Sequence, residues 1–266
     1  MGLISACIFS RNHEWSIRRA IRCLPSIVDE IYVFDFCSTD NTVALANAMG
    51  VKVVALDVFK LEDRSLIECH CKNDWILLLR ANEEISLDLQ NEVGYIFNGN
   101  IQDMYQAYSF KIMTMGRSDF LIRRLAYSFC SIRLYNRLFT KGKSSVEVKD
   151  GKTIFVSDKC YDVEHSVYPC EGIVTSRSSI SLGALVEQAN LSSGINAHGT
   201  YWRNGDGYPS ICRIIIGMFY KLFIMYMVRR YFIFGFCGFV DSLVYAFEEF
   251  LRLVKIREEA MKRRGR

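Results

Sequence analysis

Polar residues able to do chemistry gather at four places, each at the end of a short apolar run. Ser10-Arg11-Asn12-His13-Glu14 follows Leu3–Phe9, and Asp35 closes the run from Glu30 ahead of Cys37-Ser38-Thr39-Asp40. Asp57 follows Val51–Leu56, and Arg80-Ala81-Asn82-Glu83-Glu84 follows Trp75–Leu79. A carboxylate such as Asp35 can accept hydrogen bonds from ligand N–H or hydroxyl groups, and a guanidinium such as Arg80 can neutralise an anion. Ser38, Thr39 and Asp40 have a simpler use, because short oxygen-bearing side chains ahead of a helix accept its first N–H groups. Thr39 and Asp40 are therefore read as caps, and Asp35 as a ligand contact. Two cysteine–histidine groupings, Cys69-His70-Cys71 and Cys160…His165…Cys170, carry zinc-ligand types. C-x-C on a helix points its thiols apart, and the chain has no C-x-x-C pair. No zinc site is assigned, and most of the cysteines are read by default as small buried hydrophobes.

The elements that must position these clusters follow from the same runs. Leu3–Phe9, Glu30–Asp35, Val51–Leu56 and Trp75–Leu79 read as strands, with helices over Glu14–Cys23, from the Cys37–Asp40 turn to Met49, and over Asp63–Cys71. Gly50 stands where a C-cap glycine belongs. Continuously apolar strands separated by helices of about ten residues predict a parallel α/β sheet covered on both faces, with ligands at the strands' carboxyl ends. All four polar clusters lie at those ends. Ala107–Met113 and Ser131–Tyr135 read as further strands, and Tyr208–Phe250 as two helices separated near Gly235–Gly238.

Length and composition narrow the class. A chain of 266 residues, half of them hydrophobic with only 3 Pro, has material for one large or two small domains and is not disordered or collagenous. Ten cysteines are too sparse for a disulfide scaffold, and Met1–Phe9 lacks the basic start of a secretory leader. Ala6 stands where N-myristoylation needs Ser or Thr. A reducing, cytoplasmic setting is expected. The net charge of +4 is a local property: residues 252–266 carry +5, which leaves the other 251 at −1 and excludes a globally basic nucleic-acid binder. Of the 35 aromatic residues, 13 lie between Tyr208 and Phe250, where the longest uncharged run, Tyr231–Val240, has ten residues. A spanning helix needs about 20. An interfacial pair of amphipathic helices, aided by the basic end, is expected to hold the protein on the inner face of a membrane.

Taken in order, these segments resemble the family-2 glycosyltransferases of the GT-A fold, which use nucleotide-sugar donors. Ile4–Glu14 is similar to the family's opening strand and N-x-E turn. Asp29–Thr42 is similar to its second strand and D-x-x-S-T-D-x-T turn, Arg64 falls where an Arg often precedes a helix, and Trp75–Glu84 matches the strand leading to D-x-D. Arg133-Leu-Tyr-Asn-Arg137 resembles the R-L-F-x-R segment of the lipopolysaccharide-core subgroup, and Gly235-Phe-Cys-Gly238 with Leu251–Glu258 resembles its C-terminal end.

The resemblance implies an α/β, GT-A-like and mostly parallel sheet with flanking helices and a C-terminal apolar helical extension. It implies a nucleotide-sugar-binding half at 1–100, an acceptor-side half at 101–206 and C-terminal helices with a basic tail at 207–266. The implied activity is inverting transfer from a nucleotide-sugar to a lipopolysaccharide-core or other lipid-linked acceptor. Implied donor contacts are Ser10, Asn12, Glu14, Asp35, Arg64 and Asn82; Arg64 can equally be a solvated helix charge. Where the family has D-x-D, this chain has Arg80-Ala81-Asn82. Asn82 is a weak ligand for a hard divalent cation such as Mn²⁺ or Mg²⁺. Three readings stay open: a dead site in a pseudoenzyme that binds nucleotide or a partner, a replacement carboxylate from Glu83, or neutralisation of the diphosphate by Arg80. The general base that inversion requires falls on Glu147, with Glu164-His165 as a second acidic–histidine pair. Glu147 can also be a surface residue beside Lys149.

Overall fold

The computed structural model describes residues 4–56, 65–99, 105–115, 127–138, 147–149, 152–154, 167–177, 182–204 and 209–264. They fall in two compact units, one drawn from 1–114, 128–147 and 153–177, the other from 115–127, 148–152 and 178–266.

The first unit is built on β1 (Ile4–Ser10), α1 (Ile17–Arg22), β2 (Val28–Asp35), α2 (Thr42–Ala48), β3 (Lys52–Ala55), α3 (Ser65–Glu68) and β4 (Trp75–Arg80). These are followed by β5 (Glu83–Ile85), α4 (Leu87–Asn98), β6 (Ala107–Met115), β7 (Ser128–Asn136), and, after a separate ribbon of β8 (Glu147–Lys149) and β9 (Lys152–Ile154), by β10 (Val167–Arg177). Eight strands form one sheet in the order β3-β2-β1-β4-β7-β6-β10-β5. All seven residues of β1 are buried, as an apolar strand covered on both faces requires. The β1–β2, β2–β3 and β1–β4 ladders are parallel. The β4–β7, β6–β7 and β5–β10 ladders are antiparallel. The α/β architecture is as expected, and the three ladders among the first four strands are parallel. Strands β6, β7 and β10, all beyond residue 100, join the same sheet.

Local signals explain the elements. α1 buries Ile17, Ala20 and Ile21, one face at helical spacing. Gly50 follows α2 at φ 74°, a left-handed conformation that glycine adopts without steric cost. α4 opens on Ser86, whose Oγ accepts the Leu89 N–H at 3.3 Å, and buries Leu89, Val93, Ile96 and Phe97. Against it runs β10, where any Cβ on Gly172 would collide with the Leu89 backbone and Cβ. The core joins Ile4, Ala6, Ile8, Val33, Leu77 and Leu79 to Phe110 and Leu134.

The second unit contains α5 (Leu182–Asn204), α6 (Ile211–Phe223), a π-helical turn (Ile224–Val228), a 3₁₀ turn (Tyr231–Phe234) and α7 (Gly235–Arg264). Leu185 and Ala189 of α5 pack on Val244 of α7; Ala197, Ile214, Leu253, Ile256 and Ala260 form a second cluster. The helix break lies at Arg229–Phe234, slightly before the expected Gly235–Gly238, with Arg230 left-handed at φ 59°. Gly235 starts α7 at φ 58°, and a Cβ on Gly238 would collide with the Tyr231 carbonyl. Residues 252–264 continue α7, so most of the expected basic tail is helix. Ile211–Val228 and Tyr231–Lys262 are long and apolar enough to cross a membrane by length and composition.

Candidate functional site

At the carboxyl edge of the parallel strands, Ser10 lies opposite Asp35 and Phe9 opposite Arg80. The chain continues this pairing past the strand ends: the Phe36 N–H donates to the Ser10 carbonyl and the Ala81 N–H to the Phe9 carbonyl, each at 2.9 Å. Three of the expected site residues are therefore brought together by register alone.

Above this edge the loops after β1 and β2 are laced together. Asn12, left-handed at φ 53°, donates its N–H to Ser38 Oγ and accepts the Thr39 N–H at Oδ1, both at 2.8 Å. The His13 N–H donates to Thr42 Oγ1 at 2.8 Å, and the Glu14 N–H to Asp40 at 3.0 Å. Glu14 in turn accepts the Asn41 N–H at 3.1 Å, and Asp40 the Thr42 N–H at 3.0 Å. Both carboxylates thus serve the start of α2. Asp40 accepts the first N–H of α2, although the N-cap position itself falls on Asn41, whose side chain makes no capping bond. Burial opposes its ionisation, but the Thr42 hydroxyl and the Glu14 and Thr42 N–H groups outweigh it and lower its pKa. Asn12 and Glu14 fix the shape of the loop pair.

Asp35 is 3% exposed, and its two oxygens receive the Ser38 hydroxyl and N–H. A carboxylate so held keeps its orientation at the strand edge. Ser10 is 2% exposed; among the described residues, its Oγ and Arg11 Nε are buried polar atoms without a hydrogen-bond partner. Burying such a group costs about 1–3 kcal/mol unless something supplies the bond. Burial, the largest influence, lowers the His13 pKa against the Arg11 N–H and the charges of Asp40 and Asp35, and Arg80 adds to the lowering. Arg80, Asp35 and His13 therefore share one electrostatic neighbourhood.

The Arg80–Glu84 turn answers the question of metal fit. Glu83 is 1% exposed, and its oxygens are engaged by Arg133 Nη2 at 2.7 Å and by the Arg80 N–H at 3.0 Å. Asn82 Nδ2 donates to the Arg177 carbonyl at 2.7 Å, pinning this turn to β10. Glu84 pairs with Arg19 and Arg177. Among the described residues no three His, Cys, Asp or Glu side chains cluster as a metal site would require. Among the described residues, the Arg80–Glu84 turn itself offers a guanidinium and an anchored amide, with both its carboxylates already paired, and does not supply hard oxygen ligands for a divalent cation.

Other expectations fare differently. Arg64, Asp57, Cys160, Glu164 and His165 lie outside the described residues. Glu147 begins β8, whose side chains are not described. The R-L-x-x-R segment proves structural at both ends. Arg133 forms the buried pair with Glu83, and Arg137 binds Asp74 and the carbonyls of Glu68, Cys71 and Lys72. Cys7 and Cys71 place their sulfurs 3.4 Å apart as buried thiols. Sequence reading missed the Glu83–Arg133 pair and the part played by His13. A buried pairing across 50 residues leaves no local signal.

Protein relatives align over nearly the whole chain. An uncharacterized glycosyltransferase of Rickettsia bellii is 39% identical over 257 residues, covering 96% of this chain and 86% of the relative. One from Rickettsia typhi is 37% identical over 266 residues, covering 100% and 90%. No family model matches. Among solved structures, S. aureus TarS in complex with UDP is 13% identical with a TM-score of 0.42, covering 99% of this chain and 92% of that one. Glucosyl-3-phosphoglycerate synthase from Mycobacterium tuberculosis, in complex with Mn²⁺, UDP and glucosyl-3-phosphoglycerate, is 16% identical with a TM-score of 0.43, covering 73% and 77%.

Proposed function

The chain belongs to the glycosyltransferases, and on that premise we propose that it transfers a sugar from a nucleoside diphosphate donor bound at the Ser10–Asp35–Arg80 edge. The observation that carries this reading is the convergence of a fixed carboxylate, an unpartnered buried hydroxyl and a guanidinium where three parallel strands end. Asp35 would accept hydrogen bonds from the base or ribose, and Ser10 Oγ would find its missing partner in the donor. Arg80 would neutralise the diphosphate, the part a metal plays where carboxylates are available.

In this reading the acceptor hydroxyl attacks the anomeric carbon from the face opposite the diphosphate. A new C–O bond forms as the bond to the diphosphate oxygen breaks, inverting the centre. The acceptor proton passes to a general base, for which Glu147 is the proposed residue. The nucleoside diphosphate leaves with the electron pair, its charge met by Arg80. Arg64 and Asn82 would border the donor. The acceptor class we propose is a lipid-linked glycan such as a lipopolysaccharide core, met at the cytoplasmic face of a membrane.

Calorimetric titration with UDP, CDP and GDP, each with Mn²⁺ and with EDTA, tests the donor reading. One of the three is expected to bind with the same affinity in both conditions. Binding that requires Mn²⁺, or no binding of any of the three, would overturn it.

A further inference from the structure

The membrane-facing surface can be located within the second unit. Along α6, Ile211, Ile215, Ile216, Phe219, Tyr220 and Phe223 are 48–66% exposed. At 3.6 residues per turn these positions form one continuous arc over roughly half the helix circumference. The apolar surface continues past the helix end through Met227, Val228 and Phe232 to Phe236, which is 80% exposed. An apolar face of this extent on a protein in water marks an interaction site.

Charge indicates its occupant. Between Asp206 and Asp241 the chain has no acidic residue, but carries Arg213, Lys221, Arg229 and Arg230. An apolar arc on a segment whose only charges are cations matches the interface of an anionic bilayer, where apolar side chains enter the acyl boundary and cations meet headgroups. Spanning is disfavoured, since Lys221 sits mid-way along Ile211–Val228 and would be carried to the bilayer centre. The cations at the end of α7 are engaged by neighbours, as Arg229 is over the Tyr127 ring. Arg252 pairs with Glu249, Lys255 binds Asn190 and Ser193, Arg257 binds the Pro209 carbonyl, and Lys262 pairs with Glu258.

We infer that the arc from Ile211 to Phe236, not the basic C-terminal segment, is the surface that inserts in plane into an anionic lipid bilayer. This rests on the proposed lipid-linked acceptor only for its biological sense; the argument itself is apolar exposure and charge.

Flotation with phosphatidylcholine vesicles, with and without 30% phosphatidylglycerol, tests it on the full chain (the lipid ratio being about that of a strongly anionic surface). The full chain is expected to float with the anionic vesicles. The double variant Phe219→Ser, Phe223→Ser is expected to lose at least tenfold in partitioning, and Lys262→Gln, Arg263→Gln less than twofold. UDP titration of the same Phe variant separates this inference from the donor reading, since nucleotide affinity should not move. Three results would overturn it: equal partitioning of the Phe variant, loss confined to the basic-end variant, or a Phe-dependent dimer in sedimentation that ignores vesicles. The last would assign the arc to a second copy of the chain.

Discussion

The two units use polar and apolar groups in opposite ways. At the strand edge almost every polar side chain is engaged by another: Asn12 with Ser38 and Thr39, Asp40 with Thr42, Asn82 with β10, Glu83 with Arg133. Ser10 Oγ and Arg11 Nε are exceptions, as is Ser16 Oγ. In the helical unit it is the apolar residues that lack partners, while the cations near the end of α7 are engaged. The lesson is that a site is recognised by departure from its own surroundings. An unsatisfied hydroxyl is informative in a satisfied loop cluster, and an exposed Phe face is informative beside a packed helix seam.

The sharpest break should come inside the strand unit. Removing one member of the buried Glu83–Arg133 pair, as in Arg133→Ala, leaves an uncompensated buried charge and should cost about 3–5 kcal/mol in chemical denaturation. A loss below 1 kcal/mol would mean that water reaches Glu83. Gly172→Ala should cost about 1–3 kcal/mol, because the added methyl meets the α4 backbone, which has little room to yield. The same measurement on Gly238→Ala asks whether the 3₁₀–α7 junction is as tight. By contrast, Phe219→Ser with Phe223→Ser should shift stability by no more than about 0.5 kcal/mol per site. A large loss there would convert the exposed arc into core and erase the contrast between the units.

The acid side offers a gentler probe. Burial opposes ionisation of Glu30, yet the Ser5 hydroxyl, Lys72 N–H, Tyr32 hydroxyl and Lys52 together lower its pKa below the ordinary 4.5. Asp40 is likewise lowered from 3.8. Their stabilisation is complete above those ordinary values and drains as pH falls through the lower folded-state values. Glu30→Gln should therefore flatten the stability profile of the strand unit below about pH 4.5 and leave its shape at pH 7–8 unchanged. An unaltered acid limb would place the sensitivity elsewhere.

Much of this was legible in the residues. The first four strands could be read because each is a continuous apolar run, and β1 through β4 lie within a residue or two of the expected ends. Asp35 and Arg80 could be placed together because parallel strands bring their carboxyl ends to one edge. α4 lies outside the expected elements although Ser86 and the Leu89, Val93, Ile96, Phe97 spacing announce it. β10 and the antiparallel half were hidden for a physical reason. Strand pairing is decided by partners up to a hundred residues away, and Val167–Arg177 alternates burial like any half-exposed segment. The structural employment of Asn12, Glu14, Asn82 and Arg133 was equally invisible, since each bonds a partner fixed only by the fold.

The central proposal is that the Arg80 guanidinium neutralises the donor diphosphate in place of a metal. The direct measurement is the dissociation constant, for whichever of UDP, CDP and GDP binds, of Arg80→Gln against the unaltered chain, both in EDTA. Loss of a charge-assisted contact to a diphosphate, worth about 1.5–3 kcal/mol, should weaken binding by at least tenfold, and Mn²⁺ should not restore it. Equal constants for the two proteins, or full recovery on adding Mn²⁺, would contradict the assignment of Arg80 and return the site to metal chemistry.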